Sequence, residues 1–245
     1  MNEEDTPIFD QCHIELLGPP GAGKSSIYNR VSSRNKMYGP NILRYSKLIP
    51  NNINILEYPL QKILKRYWDT SLKHKYFTKH LKNRPLTASL LHYVGESVKT
   101  DRDTILDYLI KLIASFEYGR STKYKDEIVC IDEGFSQRCL GVLCRQPSNE
   151  FEISNFIDLI PSPGIVIHVD APAELCLYRQ VQRGNVRSDF GNPIKEINKM
   201  RDQCSEIESE LVDQGVKTIN VENIGEIETT VMNIEDQLHD MSLHP

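Results

Sequence analysis

Several features that would assign a chain at a glance are missing from this one. Its six cysteines (Cys12, Cys130, Cys139, Cys144, Cys176 and Cys204) contain no C-x-x-C pair, and several lie among apolar residues. They read as reduced core thiols. No apolar run approaches the ~18 residues that a membrane span requires. Met1 to Pro7 carries Glu3, Glu4 and Asp5 with no long apolar stretch, so neither a signal peptide nor a basic transit peptide is expected. A cytoplasmic, reducing location follows as the expectation. A formal net charge of -5 and a pI near 5.8 argue against a chain coated in basic charge for wholesale nucleic-acid binding, while leaving room for a local basic patch. There is no N-K-x-D guanine motif, no internal repeat and no low-complexity linker.

What is present suffices for one α/β core, since 245 residues at 39% hydrophobic content fall within the ordinary range of a single domain. A short buried strand is expected at Cys12 to Leu17, short, continuous, β-branched runs at Ile128 to Ile131 and Gly164 to Val169 predict strands covered on both faces, and a last strand is expected at Lys217 to Val221. Ile42 to Ile49 reads as a strand or a loop. Helical spacing recurs at Leu60, Ile63, Leu64, Tyr67, Trp68 and Leu72, and again at Ile105, Leu109, Leu112, Ile113 and Phe116, with Asp101 or Asp103 as cap and Gly119 as terminator. Further helices are expected over Lys24 to Ser33, Ser136 to Cys144, Glu152 to Ile160, Pro172 to Gln182, Pro193 to Asp213 and Glu226 to His239. Alternating strands and helices predict an α/β, doubly wound parallel sheet of five strands, with a helical insertion over about 56–120. Ligands of such sheets lie beyond the carboxyl ends of the strands.

Gly18-Pro19-Pro20-Gly21-Ala22-Gly23-Lys24-Ser25 satisfies G-x-x-x-x-G-K-[ST] at every fixed position and lies between an apolar strand and a helix. That context makes the motif specific. Glycines let backbone N–H groups curl around phosphate oxygens, and the helix N-terminus adds positive partial charge. Gly18, Gly21, Ala22, Gly23, Lys24, Ser25 and Ser26 are therefore the expected ATP-binding residues, with Lys24 reaching the β- and γ-phosphates and Ser25 ligating Mg²⁺.

The strand ending in Asp132-Glu133 has the form of a Walker B element. Asp132 is the better oxygen ligand for Mg²⁺. Glu133 suits a general base for an attacking hydroxyl, a residue that orients water, or a cap of the next helix, and the two acids could exchange roles. Arg138 follows, facing substrate or solvent. After Val169-Asp170-Ala171-Pro172 comes a helix carrying Arg179 and Arg183, then Gly184 and Arg187. Arginines four apart share a helix face. They suit a lid over phosphates, expected at about 183–192, that supplies positive charge and excludes water. The alternative is a solvated basic face.

Together the phosphate loop, the Asp132-Glu133 strand end and the L-x-x-x-R-x-x-x-R-G stretch from Leu175 through Gly184 resemble the nucleoside and nucleoside monophosphate kinase superfamily, nearest to the thymidylate kinase type. The resemblance covers roughly residues 12 to 192 and matches nothing specific in the middle region. It implies a single kinase-like domain over 1–245, Lys24 and Ser25 at ATP-Mg, Arg179, Arg183 and Arg187 as lid arginines, and Asn220 to Asn223 near the adenine. The chain departs from that pattern where an arginine usually follows the acid, since Asp132-Glu133 is followed by Gly134.

Between Lys62 and Arg84 lie eight basic residues (Lys62, Lys65, Arg66, Lys73, Lys75, Lys79, Lys82, Arg84) against one acid, Asp69. Tyr67, Trp68, Tyr76 and Phe77 are interleaved with them, either stacking on a base or sugar or packing a helical core. Glu196 to Asp240 is strongly acidic. The leading expectation is an ATP- and Mg²⁺-dependent phosphotransferase acting on a small-molecule acceptor, a nucleoside or nucleoside monophosphate being favoured. The alternatives are a P-loop ATPase and a nucleotide-responsive binding module that associates with nucleic acid through the basic insertion. No membrane partner is expected, and a homodimer is compatible with the chain.

Overall fold

The computed structural model describes residues 13–34, 71–121, 129–145, 147–184 and 191–241. Among them, four parallel strands form one sheet: β1 (His13–Leu17), β2 (Val129–Ile131), β3 (Ile165–Asp170) and β4 (Lys217–Glu222). Their spatial order is β2-β1-β3-β4. Ile14 pairs with Cys130 on one side and Ile165 on the other, and Ile167 with Ile219. The candidate fifth strand, Ile42 to Ile49, lies outside the described residues.

Nine helices accompany the sheet among the described residues: α1 (Lys24–Arg34), α2 (Lys73–Asn83), α3 (Leu86–Ser97), α4 (Arg102–Ser121), α5 (Phe135–Leu143), α6 (Ile153–Leu159), α7 (Ala173–Gln182), α8 (Pro193–Asp213) and α9 (Ile227–Asp240). Strand side chains alternate between the two faces. Ile14, Leu16, Cys130, Ile165, Ile167, Ile219 and Val221 join Ile27, Tyr28 and Val31 of α1, Cys176 of α7 and Val231, Ile234 and Leu238 of α9 in one core. Leu17, Ile131 and Val166 face the opposite core, with Leu90 and Val94 of α3, Leu109, Leu112 and Phe116 of α4, Phe135 and Leu140 of α5 and Ile207 of α8. Burial on both faces is why β1 and β3 read as near-continuous apolar runs, whereas β4 alternates buried and exposed positions.

α4 does not end at Gly119 but runs on to Ser121. Its apolar stripe against α5 outweighs the modest helix-weakening effect of a single glycine. In the described part of the basic insertion, Tyr76 and His80 are buried and the other residues are partly or fully exposed. Tyr76 is buried edge-on to Tyr118, Lys73 pairs with Asp107 at 3.3 Å and Lys79 with Glu117 at 3.2 Å. Residues 62–70, including Trp68, lie outside the described residues. Among the described residues no helix is long and apolar enough to cross a membrane.

β1 is flanked by β2 on one side and β3 on the other, so the chain passes from β1 to β2 on one side and then crosses back to β3 on the other. A crevice therefore opens at the carboxyl end of β1. The glycine-rich segment starts there.

Candidate phosphate-binding site

The chain leaves β1 at Leu17, turns through Gly18 to Gly23 and enters α1 at Lys24. Gly23 adopts φ +104° and packs so tightly that a Cβ would overlap the side-chain amide of Asn223; at Gly21, φ +89°, a Cβ would overlap the Cys176 carbonyl of α7. Both positions need a backbone that only glycine adopts readily and a surface that only glycine leaves free.

Neighbouring elements grip this loop from three sides. From α7, the Arg179 guanidinium donates to the carbonyls of Gly21 (3.3 Å) and Ala22 (3.1 Å) and also to that of Asn223 (3.0 Å), while Gln180 donates to Pro20 at 3.0 Å. From the segment after β4, the buried Asn223 amide donates to Ala22 at 2.7 Å. From α5, Gln137 Oε1 accepts the Gly18 N–H at 3.2 Å. A loop with its carbonyls tied outward in this way is pre-organised, so little ordering remains for a ligand to induce.

The Lys24 ammonium curls back over the loop and donates to the carbonyls of Gly18 (2.5 Å) and Pro19 (3.1 Å). Its side chain keeps some surface on the cleft, but the ammonium is packed deeply enough that burial lowers its pKa from the ordinary 10.5, with Cys204, Glu133, Cys176 and Asp132 opposing the shift. A poorly hydrated cation beside a glycine loop is complementary to a phosphate anion. Ser25 donates its hydroxyl to Asp132 Oδ2 at 3.4 Å, and Asp132 is 6% exposed at the carboxyl end of β2. These are hard oxygen donors, and the pair fits Mg²⁺, which takes one or two protein oxygens together with phosphates and water. Among the described residues no group of three His, Cys, Asp or Glu forms a protein-only metal cage. Ser26 lies in the first turn of α1 and donates its N–H to the Gly23 carbonyl at 3.0 Å.

A cavity of about 390 Å³ lies over the loop and is lined by Gly21, Gly23, Lys24, Ser25, Glu133 and Arg183, among others. A second cavity of about 310 Å³ adjoins it, lined by Ile105, Tyr108, Glu133, Gln137, Arg138, Gly141 and Arg145. Glu133, Gln137, Gly141 and Arg145 line both. Glu133 is exposed on the shared border and accepts from Arg138 at 2.9 Å; the same guanidinium lies 5.3 Å from the Tyr108 ring centroid. Arg145 is held at the C-terminal end of α5 by the Gly141 carbonyl (2.9 Å).

The structure therefore brings Gly21, Gly23, Lys24, Ser25, Glu133 and Arg183 to the lining of one cleft, with Arg138 in the adjoining cavity; Gly18 and Ala22 are buried in the loop, and Asp132 is bonded to Ser25. Arg179 is present too, but its guanidinium holds loop and Asn223 carbonyls rather than facing the cleft. Asn223 likewise supports the loop, and Asn220 donates to Glu208 at 2.6 Å. Arg187 and most of the lid segment lie outside the described residues. Sequence reasoning missed Gln137, Arg145 and Tyr108, which carry no motif. It also missed Glu15, whose signal was a lone carboxylate in a short buried strand whose only other polar residue is His13.

No family model and no curated protein matches the chain. Solved structures similar to it include deoxyadenosine kinase from M. mycoides with bound dCTP (16% identity, TM-score 0.46, covering 93% of this chain and 99% of that one). Two others are the M. mycoides enzyme with products dCMP and a flexible dCDP (14% identity, TM-score 0.48, covering 94% and 100%) and with bound dATP (16% identity, TM-score 0.48, covering 93% and 99%). At this distance the likeness bears on neither substrate nor mechanism.

Proposed function

We propose that the chain is an ATP- and Mg²⁺-dependent phosphotransferase that moves the γ-phosphoryl group to a small-molecule acceptor, a nucleoside or nucleoside monophosphate being the favoured class. The observation that carries this reading is the pair of adjoining cavities. One is walled by Lys24, Ser25 and the glycine loop, the other by Arg138, Arg145 and Tyr108, and Glu133 stands on their border. A hydrolysing ATPase needs only the first.

Phosphoryl transfer is chiefly positioning and charge stabilisation. In this reading the glycine loop and Lys24 hold the β- and γ-phosphates, and Ser25 and Asp132 would hold Mg²⁺, which neutralises charge on the transferring group when bound. Tyr108 offers a flat face for a ring, while Arg138 and Arg145 attract an anionic or hydroxyl-rich acceptor. Glu133 is placed to accept the proton of the attacking hydroxyl. Arg183, at the end of α7, would balance charge from the lid side.

The test is ATP consumption with Mg²⁺, alone and with a panel of nucleosides, nucleoside monophosphates and sugars, with Lys24→Ala as blank. Turnover confined to one acceptor class supports the proposal and identifies the acceptor. Equal turnover without any acceptor refutes it in favour of an ATPase.

A further inference from the structure

Glu15 lies in the middle of β1, wholly buried, between Ile131 of β2 and Val166 of β3. Its carboxylate accepts four hydrogen bonds. Oε1 takes the Phe135 N–H at 2.8 Å and lies 2.8 Å from His13 Nε2; Oε2 takes the Ser136 N–H at 2.8 Å and the Ser136 hydroxyl at 2.6 Å. Phe135 and Ser136 open α5, whose N-cap is Gly134, a residue with no side chain to offer. A carboxylate from a distant strand thus takes the place of a local cap, satisfying helix N–H groups and lying at the positive end of the helix dipole. Burial alone would raise the Glu15 pKa, but the bonds from His13 and Ser136 outweigh it and hold the carboxyl below its ordinary range.

The consequence falls on the three residues between β2 and α5. Glu15 is paired across the sheet with Ile131, immediately before Asp132, and it anchors Phe135, immediately after Gly134. Both ends of Asp132-Glu133-Gly134 are therefore referred to one side chain. A Cβ on Gly134 would overlap the Glu15 carboxyl, so glycine stands at this position because the carboxylate fills the space beside it. We propose that Glu15 is a positioning residue for the cleft: by capping α5 it fixes the Asp132-Glu133 segment, and with it the approach of Asp132 to Ser25. The inference rests on the reading of that cleft as a metal-nucleotide site.

The experiment compares binding of ATP with and without Mn²⁺, the ion being followed by paramagnetic resonance, in the wild type, Glu15→Gln and Ser136→Ala. Folding is checked by circular dichroism. The amide of Glu15→Gln keeps the side-chain shape but turns an N–H₂ toward one of the helix donors. The expected result is a loss of Mn²⁺ affinity in the ATP complex of about tenfold, as for other groups that orient metal ligands, with metal-free ATP binding little changed. Ser136→Ala, which removes one bond and leaves the carboxylate, is expected to lose about threefold, and it decides the matter if Glu15→Gln does not fold. Unchanged Mn²⁺ affinity in the folded variants, or an equal loss of metal-free ATP binding, overturns the role of Glu15 alone. A wild type that binds neither ATP nor Mn²⁺-ATP overturns both this role and the phosphotransferase reading.

Discussion

Replacing Arg179 by lysine separates two roles that the same residue could have. Its guanidinium spans three backbone carbonyls at 3.0 to 3.3 Å, two in the glycine loop and one at Asn223. A lysine ammonium is a single point donor and can keep about one of these bonds. At about 1 kcal/mol net for each bond lost, Arg179→Lys should cost about 2 kcal/mol. For a chain of this size that lowers Tm by about 4–8 °C. Part of the cost should appear as ATP affinity, because a loop that no longer holds its shape must be ordered on binding; a share of about 1.4 kcal/mol means tenfold weaker binding. The assays are calorimetric melting and equilibrium binding of ATP, followed by kcat in the presence of saturating ATP. If Tm and ATP affinity are unchanged while kcat falls, the carbonyl contacts are not what Arg179 does in the working protein, and the clamp argument fails.

Three other perturbations follow from the geometry. Lys24→Met should abolish turnover and also flatten the alkaline stability profile. The Lys24 pKa is lowered below 10.5 by burial, so between the folded-state value and 10.5 the unfolded chain binds the extra proton and the wild type gains stability as pH rises. Melting from pH 7 to 10.5 checks this, and a slope unchanged by the substitution refutes it. Arg183→Ala should lower kcat more than it raises the KM for ATP, since the exposed guanidinium lines the cleft; an effect confined to KM would make it a docking residue. Asp170, bonded through both oxygens to Arg201 at 2.6 and 2.7 Å, has burial opposing those bonds, yet its carboxyl is held below 3.8. Its contribution is present above pH 3.8 and is lost as pH falls through the lower folded-state value. Asp170→Asn should therefore cost about 1 kcal/mol at neutral pH, allowing for solvent screening, and make acid unfolding less steep.

The parts of this molecule legible in its sequence are those where one residue type answers one local demand. The glycine loop is legible because its bend and its tight packing against Cys176 and Asn223 exclude side chains, and Ser25 and Lys24 follow at fixed spacing along the chain. β1 and β3 are legible because both of their faces are covered, and α8 begins at Pro193 and ends at Asp213, as its start signal and apolar period require. What was not legible depends on residues brought together across the fold. Arg179 sits four residues before Arg183, a spacing that suggests one shared face and one shared task. The structure divides them: one is tied down by carbonyls that no sequence pattern announces, and the other is left at the cleft. Glu15 and Gly134 are more than a hundred positions apart, so neither explains the other until the sheet aligns β1 beside β2. Read in order along the chain, Gly134 is a departure from the acid-arginine pattern of the kinases that the sequence motifs resemble; read in space, it is the vacancy that a buried carboxylate needs. The absence of an arginine there still leaves guanidinium groups on the adjoining cavity, from Arg138, about one helical turn after Gly134, and from Arg145, just beyond the end of α5.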